Sequence, residues 1–403
     1  MWDRDPNKIK ESVAKHKFRM KFSDISGNDD IKKALMSMVD SGRVPHAMLL
    51  YENEGCGALA IALAFLQYLA CRNHSSDDSC GVCPVCNRMS KLIHPDVHFI
   101  FPVNTGSKVS VSKPTSENYP PLWRELVASN PYFLESQLYD YLGIEGKSGN
   151  IAVAEAKFIL DRLALTPVED GYKGVVVWLP ERMNAETANR LLKVVEEPPE
   201  KTIFIFITHS PEKVLQTISS RCQSFRILPL TKDRIAFTLE SHFGFTAEDA
   251  KTAASSAGGS VGVAVQEAGE KDEYMFFLDI FSDLLRAVHE RRLIEAIEVS
   301  EQISAMKSKE KQKAFCTFAG GCIRKIYMLQ HHMDAEADLK QDEAEFLTAA
   351  ASWFGKSFCE QMIAVLDKSS MLLDRNVNAK IIFCDMADRM FLSGNLSRNY
   401  EHR

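Results

Sequence analysis

Through the first 230 residues, short runs of apolar, β-branched and aromatic side chains alternate with stretches whose apolar positions recur at helical spacing. The runs are Ala47–Tyr51, Val97–Val103, Gly174–Trp178, Thr202–Thr208 and Ser224–Leu228. Strands separated in this way by helices predict a five-stranded parallel sheet with helices on both faces. Between the second and third runs, Asn104–Tyr119 is rich in Ser, Pro, Gly and Lys, too polar to bury much apolar surface, and is expected to be a mobile loop. After Leu230 the strand signals stop. Helical periodicity, broken at Gly258–Gly259, predicts a small helical domain over 231–269 and a larger one over 270–403. In the larger one Met275, Phe276, Leu278, Ile280, Phe281, Leu284 and Leu285 form a stripe that core packing explains without any ligand.

Length and composition add limits. A chain of 403 residues is long enough for two or three domains at about 100–200 residues each. With 45% hydrophobic and 25% charged residues it has an ordinary globular composition, and no run reaches the roughly 20 apolar residues a membrane helix needs. The first residues are charged and lack the apolar core of a secretion signal, so a cytoplasmic location is expected. Basic residues cluster there (Lys8, Lys10, Lys15, Lys17, Arg19, Lys21), which reads as a solvated extension and is assigned no role. A formal charge of −6 argues against a protein that coats DNA by bulk electrostatics, while leaving local contact open.

Cys71, Cys80, Cys83 and Cys86 follow the spacing C-x8-C-x2-C-x2-C. Two C-x2-C turns that share a cysteine, with Gly81 and Pro84 inside them, make a knuckle suited to a tetrahedral Zn²⁺ held by four thiolates. A filled shell leaves no position for water, so the metal is expected to be structural. Free buried thiols are the plainer alternative, and a redox pair lacks its usual βαβ setting. The remaining cysteines are scattered and read as small buried hydrophobes.

The strand ending at Tyr51 leads into ENEGCGALA, a turn followed by a helix. That is the setting of G-x-x-x-x-G-K-[ST], in which backbone N–H groups at a helix N-terminus cradle phosphates and lysine meets the terminal ones. Aligned on its last glycine, the template places Glu52 at the first glycine and Gly55 within the loop. Gly57 then falls at the last glycine, Ala58 at the lysine and Leu59 at the magnesium-binding hydroxyl. Glu52 and Glu54 bring negative charge towards a triphosphate. The strand GVVVWL occupies the place where two carboxylates normally hold Mg²⁺, and here those positions are Trp178 and Leu179. Downstream, Ser220-Arg221-Cys222 precedes the last strand.

Joined to FSDISGND at residues 22–29, RVPHAMLL at 43–50, HPDVHFIFP at 94–102, LTPVEDGYKGVVV at 165–177 and the helix from ERM to EEPP, these features resemble the clamp-loader subunits of bacterial DNA polymerase III, of the AAA+ superfamily, and the delta-prime branch in particular. The likeness runs over most of the chain but is only one of helical kind beyond residue 270. It implies an N-terminal extension (1–20), an AAA+ α/β domain (21–230) with a zinc module inserted at 71–86, an all-α lid (231–269) and an all-α collar (270–403) that joins five subunits in a ring. ATPase members keep the P-loop lysine, the acidic pair and a lid arginine where this chain has Gly262. The resemblance therefore implies a subunit that does not bind ATP or Mg²⁺ tightly. Its partners would be gamma/tau and delta subunits, transiently a sliding clamp, and primed DNA through the assembled complex. Arg221, with Ser220 and Cys222, would act in trans on a neighbour's ATP. Two other readings stay open: an autonomous ATPase with an atypical loop, and a zinc-dependent DNA-binding module, although only Arg72, Arg88 and Lys91 lie near the cysteines.

Overall fold

The computed structural model describes residues 20–401 apart from 110, 145–146, 170, 307, 334–336, 338 and 376. Of the basic cluster, the residues from Lys8 to Arg19 lie outside the described residues, whereas Lys21 is half-buried and pairs with Asp78 at 4.0 Å. Five strands, β1 (Ala47–Tyr51), β2 (Val97–Ile100), β3 (Lys173–Trp178), β4 (Thr202–Thr208) and β5 (Gln223–Arg226), form one parallel sheet in the order β2-β3-β4-β1-β5. This is the five-stranded parallel sheet with helices on both faces that the alternation of strands and helices predicts.

Alternation along the strands divides their side chains between two faces. Met48, Leu50, Val176, Trp178, Ile203, Ile205 and Ile207 face one core, which they share with helices α2 (Ala58–Ala70), α4 (Pro120–Ser129) and α5 (Glu135–Leu142). Ala47, Leu49, Val175, Val177, Phe204 and Phe206 face the other, against α6 (Val153–Ala164) and α7 (Ala185–Glu196). Helix α2 is apolar on every side and buried from Ala58 to Tyr68, as a helix enclosed by a domain must be. Around it lie α1 (Asp29–Asp40) and the short α3 (Pro84–Ser90).

Two expectations need correction. β2 ends at Ile100 rather than Val103: Pro102 has no N–H to give a ladder, and Val103 instead makes an isolated antiparallel bridge with Asn150. The Asn104–Tyr119 segment is anchored at several points despite its composition. Tyr119 is buried with its hydroxyl donating to Asn104 O at 2.9 Å, Ser116 Oγ donates to Glu155 at 2.8 Å, and Lys108 Nζ donates to Tyr141 O at 2.7 Å. Hydrogen bonds to neighbouring elements fix what apolar burial alone would not.

After α8 (Gln216–Ser219) and β5 come α9 (Lys232–Phe243), α10 (Ala247–Ser256) and the long α11 (Val261–His289). The chain divides into two compact units at Gly269. Ile235, Leu239, Phe243, Ala254 and Val261 share the sheet unit's apolar core. The division falls within α11, where no linker composition marks it.

The second unit contains the rest of α11, α12 (Leu293–Ser304), α13 (Lys309–Gln330), α14 (Gln341–Ala351), α15 (Lys356–Asp374) and α16 (Ala379–Glu401). Its core is built on Phe281, Leu285, Ile303, Phe315, Ile326, Leu347, Phe358 and Met386. Phe277 joins the buried stripe of α11, whereas Met275 and Phe276 are only half-buried. Among the described residues no helix is long and apolar enough to cross a membrane.

Candidate functional site

At the C-terminal edge of the sheet the loops after β1, β3 and β4 converge, the position where open α/β sheets bind ligands. Glu52 N donates to Thr208 O at 3.1 Å and Leu179 N to Ile207 O at 2.8 Å, which ties the three loops together. Gly57, at φ +109, turns the chain into α2 through a conformation that side-chain-bearing residues avoid. The first N–H of α2, that of Ala58, donates at 2.7 Å to Oε2 of Glu52. The buried Glu52 carboxylate therefore occupies the place where a helix N-terminus would otherwise receive a phosphate. Ala58 and Leu59 are both packed into the core, with no polar group to offer a nucleotide.

His209 closes the other side of this carboxylate. Its Nε2 lies 3.6 Å from Glu52 Oε1 and its Nδ1 3.9 Å from Glu54 Oε1. Burial by itself would lower the proton affinity of the imidazole, but the hydrogen bond and charge of Glu52, with Glu54 and Glu181 beyond, raise it above the ordinary histidine value. Nothing in the sequence pattern singled out His209. Only the register of β4 beside β1 brings it to Glu52.

The two positions that the resemblance aligns with magnesium ligands are filled with hydrocarbon. Trp178 is buried against Phe133 (ring centroids 5.0 Å apart), His209 (5.6 Å) and Trp123 (6.2 Å). Leu179 is buried in a left-handed conformation, φ 59, which is unusual for a branched apolar residue.

The helical segment after Gly259 completes the closure. Gly262 N donates to Gly55 O at 3.1 Å, Ser260 Oγ donates to Glu54 O at 2.7 Å, and Cys56 Sγ donates to Gly259 O at 3.4 Å. A Cβ on Gly262 would sit 2.1 Å from Tyr132 O, and the ring of Tyr132 lies over Gly57. The position where the resemblance places a nucleotide-sensing arginine thus admits no side chain at all. Gly262→Ala is expected to destabilise the sheet unit by about 3 kcal/mol or more, because the clash is with backbone that cannot rotate away. Denaturant unfolding would register it, and a variant of unchanged midpoint would mean that this contact is loose.

Cys71, Cys80, Cys83 and Cys86 come together as the spacing anticipates, with all four Sγ atoms within 4.8 Å of one another and Cys80 and Cys86 at 3.8 Å. A tetrahedral ion at about 2.3 Å from each sulfur would hold them about 3.8 Å apart, so the cage fits a metal of zinc's size and thiolate preference. Cys71 follows the end of α2, and Cys83 caps α3, accepting from Cys86 N at 3.4 Å with Pro84 in the first turn. N–H groups of Val82 and Cys83 stabilise the Cys80 thiolate and bring its pKa to about 6, whereas burial raises Cys71 and Cys86. His74 takes no part: its Nδ1 meets Cys71 O at 2.8 Å and its ring packs on Tyr68 at 4.6 Å. The module is locked to the sheet unit by Asp78, whose carboxylate accepts from Phe22 N at 3.2 Å and Ser23 N at 2.9 Å.

Arg221 stands apart from the closed loop, just after α8 and ahead of the edge strand β5. Its side chain is 33% exposed, pairs with Glu196 at the end of α7, and donates through Nη1 to Thr217 O at 2.7 Å and Ser220 Oγ at 3.3 Å. Ser220 is exposed. Cys222 is half-buried, donates to Ile218 O at 3.3 Å, and burial pushes its thiol up to about 12, so it is a packing residue rather than a nucleophile.

The family described as DNA polymerase III, delta subunit, matches residues 27–231. The delta' subunit of Yersinia pestis is 30% identical over 192 residues, 47% of this chain and 44% of that protein. The delta' subunit of Bacillus subtilis is 25% identical over 200 residues, 50% of this chain and 47% of that one. The gamma/tau subunit of Mycobacterium tuberculosis H37Rv is 29% identical over 210 residues, 52% and 29% of the two chains. The chain thus spans less than half the length of these relatives. A solved gamma subunit-related protein from Thermotoga maritima is 17% identical, with 90% of this chain and 99% of that chain covered at a TM-score of 0.32, a similarity too low to bear on the site.

Proposed function

As the chain belongs to the family described as DNA polymerase III, delta subunit, we propose that it is a clamp-loader subunit of the delta-prime type, which hydrolyses no ATP itself and presents Arg221 to the ATP site of a neighbouring gamma/tau subunit. Relatives of both delta' and gamma/tau name align with it, so the choice between the two rests on the site. The observation that carries it is the Glu52 carboxylate bonded to the first N–H of α2. A triphosphate approaching that helix would have to displace a bonded anion and face Glu54 as well, with no lysine at Ala58 and no metal ligand at Trp178 or Leu179.

Calorimetric titration of the isolated chain with ATP and Mg²⁺ is expected to show no binding tighter than about 1 mM. Micromolar binding would return the chain to the ATPases.

On this reading the closed unit is a rigid member of the ring and Arg221 is its chemical contribution. A guanidinium is always charged and presents a planar fork that matches phosphoryl oxygens. Glu196 holds it in place until the neighbour's γ-phosphoryl, more highly charged, takes over the donors; the charge that builds in the transition state is then stabilised in a site from which water is excluded. The four-cysteine cluster would hold Zn²⁺ as a structural ion whose role is to fix the end of α2 against α3. Of the three basic residues near it, Arg88 is engaged by Glu169, which leaves Arg72 and Lys91 exposed. Gamma/tau and delta subunits, the sliding clamp and primed DNA through the assembled loader are the partners this function requires. Ten cysteines without a disulfide suit the reducing cytoplasm.

A further inference from the structure

We infer that the free edge of β2 is a docking site for an extended, carboxylate-bearing peptide segment of another protein. β2 is the outermost strand and, among the described residues, pairs with β3 alone. Gly174 N donates to Asp96 O at 2.9 Å, and the register sets Val97 opposite Gly174 and Phe99 opposite Val176. In a parallel ladder successive residues turn their backbone groups to alternate sides, so residues 96, 98 and 100 bond towards β3. The N–H and C=O of Phe99 and the C=O of Val97 then face outward, along an edge ready to accept another strand.

This edge lacks the cover usual for a parallel sheet. Val97, His98 and Phe99 are half-buried, whereas β3 and β4 are buried throughout. Beside them lies a cavity of about 300 Å³ lined by Phe99, Phe101, Trp123 of α4 and Phe158 of α6, with the exposed Ile93 next to it. Trp123 is 2% exposed, and its buried indole N–H has no acceptor among the described residues.

Charge selects the occupant. Arg124 is exposed, and its Nε donates to Leu92 O at 3.0 Å, which fixes the guanidinium plane. Its two terminal nitrogens have no acceptor among the described residues and are placed to take a carboxylate in a bidentate pair. Arg162, also at the cavity, pairs with Glu117 at 3.2 Å and lies over the Phe158 ring at 5.2 Å, a surface pair that an incoming acid can replace. His94 and His98 are held neutral by burial and add no charge. One added strand would use all of these features: main-chain bonds to Phe99, an apolar side chain in the cavity and a carboxylate on Arg124.

The test is panning of random heptapeptides against the full chain in two display formats, one ending in a free C-terminal carboxylate and one with that end linked to the carrier. Enrichment of sequences that pair an apolar or aromatic residue with a nearby acid is expected. The best synthetic peptide should bind at least about tenfold more weakly to Arg124→Glu and to Phe158→Asp, with slowed hydrogen exchange over residues 97–100 in the complex. Enrichment in the free-end format alone assigns the carboxylate to a chain terminus, and enrichment in both assigns it to Asp or Glu. No enrichment, or binding that Arg124→Glu leaves untouched while its circular dichroism matches the parent chain, overturns the site.

Discussion

In a loader reassembled from this chain with gamma/tau and delta subunits, Arg221→Ala is expected to slow ATP hydrolysis at the facing site by about 10³-fold or more, the scale of trans-acting arginines in GTPases. Assembly should be unaffected, because the residue is one-third exposed and its loss removes a surface pair with Glu196 worth about 0–1 kcal/mol. Arg221→Lys should restore little, since an ammonium is a point charge without the planar fork. The measurement needs P-loop lysine substitutions in the other gamma/tau copies, so that only the facing site reports clamp- and DNA-stimulated turnover. Unchanged turnover in that arrangement would remove Arg221 from catalysis and leave it as a helix-end residue bonded to Thr217 and Ser220.

The four cysteines carry the second large effect. Metal analysis of the purified chain is expected to give one Zn²⁺, lost on Cys86→Ser. Removing the metal uncouples the end of α2 from α3 and leaves four unligated sulfurs crowded within 4.8 Å. Structural zinc contributes about 10–16 kcal/mol of apparent free energy in isolated zinc-finger peptides. Here the sheet unit keeps its own core, so a loss of about 3 kcal/mol or more is expected, equivalent to a midpoint about 6–12 °C lower. A chain that binds no zinc, or one whose thermal midpoint ignores a strong chelator, would turn the cluster back into buried thiols.

Most of the site was legible because its signals are local. C-x2-C turns bring ligands together within one knuckle whatever surrounds them, and the absence of lysine at Ala58 or of carboxylates at Trp178 and Leu179 is visible wherever strand and turn can be recognised. The strands were equally plain where they are buried on both faces, as in β3 and β4. Sequence reasoning was weakest where order depends on distant partners. Asn104–Tyr119 reads as loose until Glu155, from α6, is seen to receive Ser116. Residues 231–269 read as helical from periodicity alone, and the core that Ile235 and Leu239 share with the sheet is visible only in the folded chain.

The sequence by itself determined that the chain is a parallel α/β domain followed by helices, that four cysteines are spaced for one knuckle, and that the loop after β1 carries no lysine. Those facts follow from residue type and short-range periodicity, which act over a few bonds or one helical turn. Only the tertiary structure decided what stands in the empty place. Glu52 lies six residues from the N–H it caps, but its partner His209 and the Gly262 that seals Gly55 come from remote parts of the chain, brought there by the β1–β4 register and the return of α11. A missing lysine leaves a site that could still be open. A carboxylate already bonded at the helix N-terminus, under backbone too close for a side chain, is one that is filled.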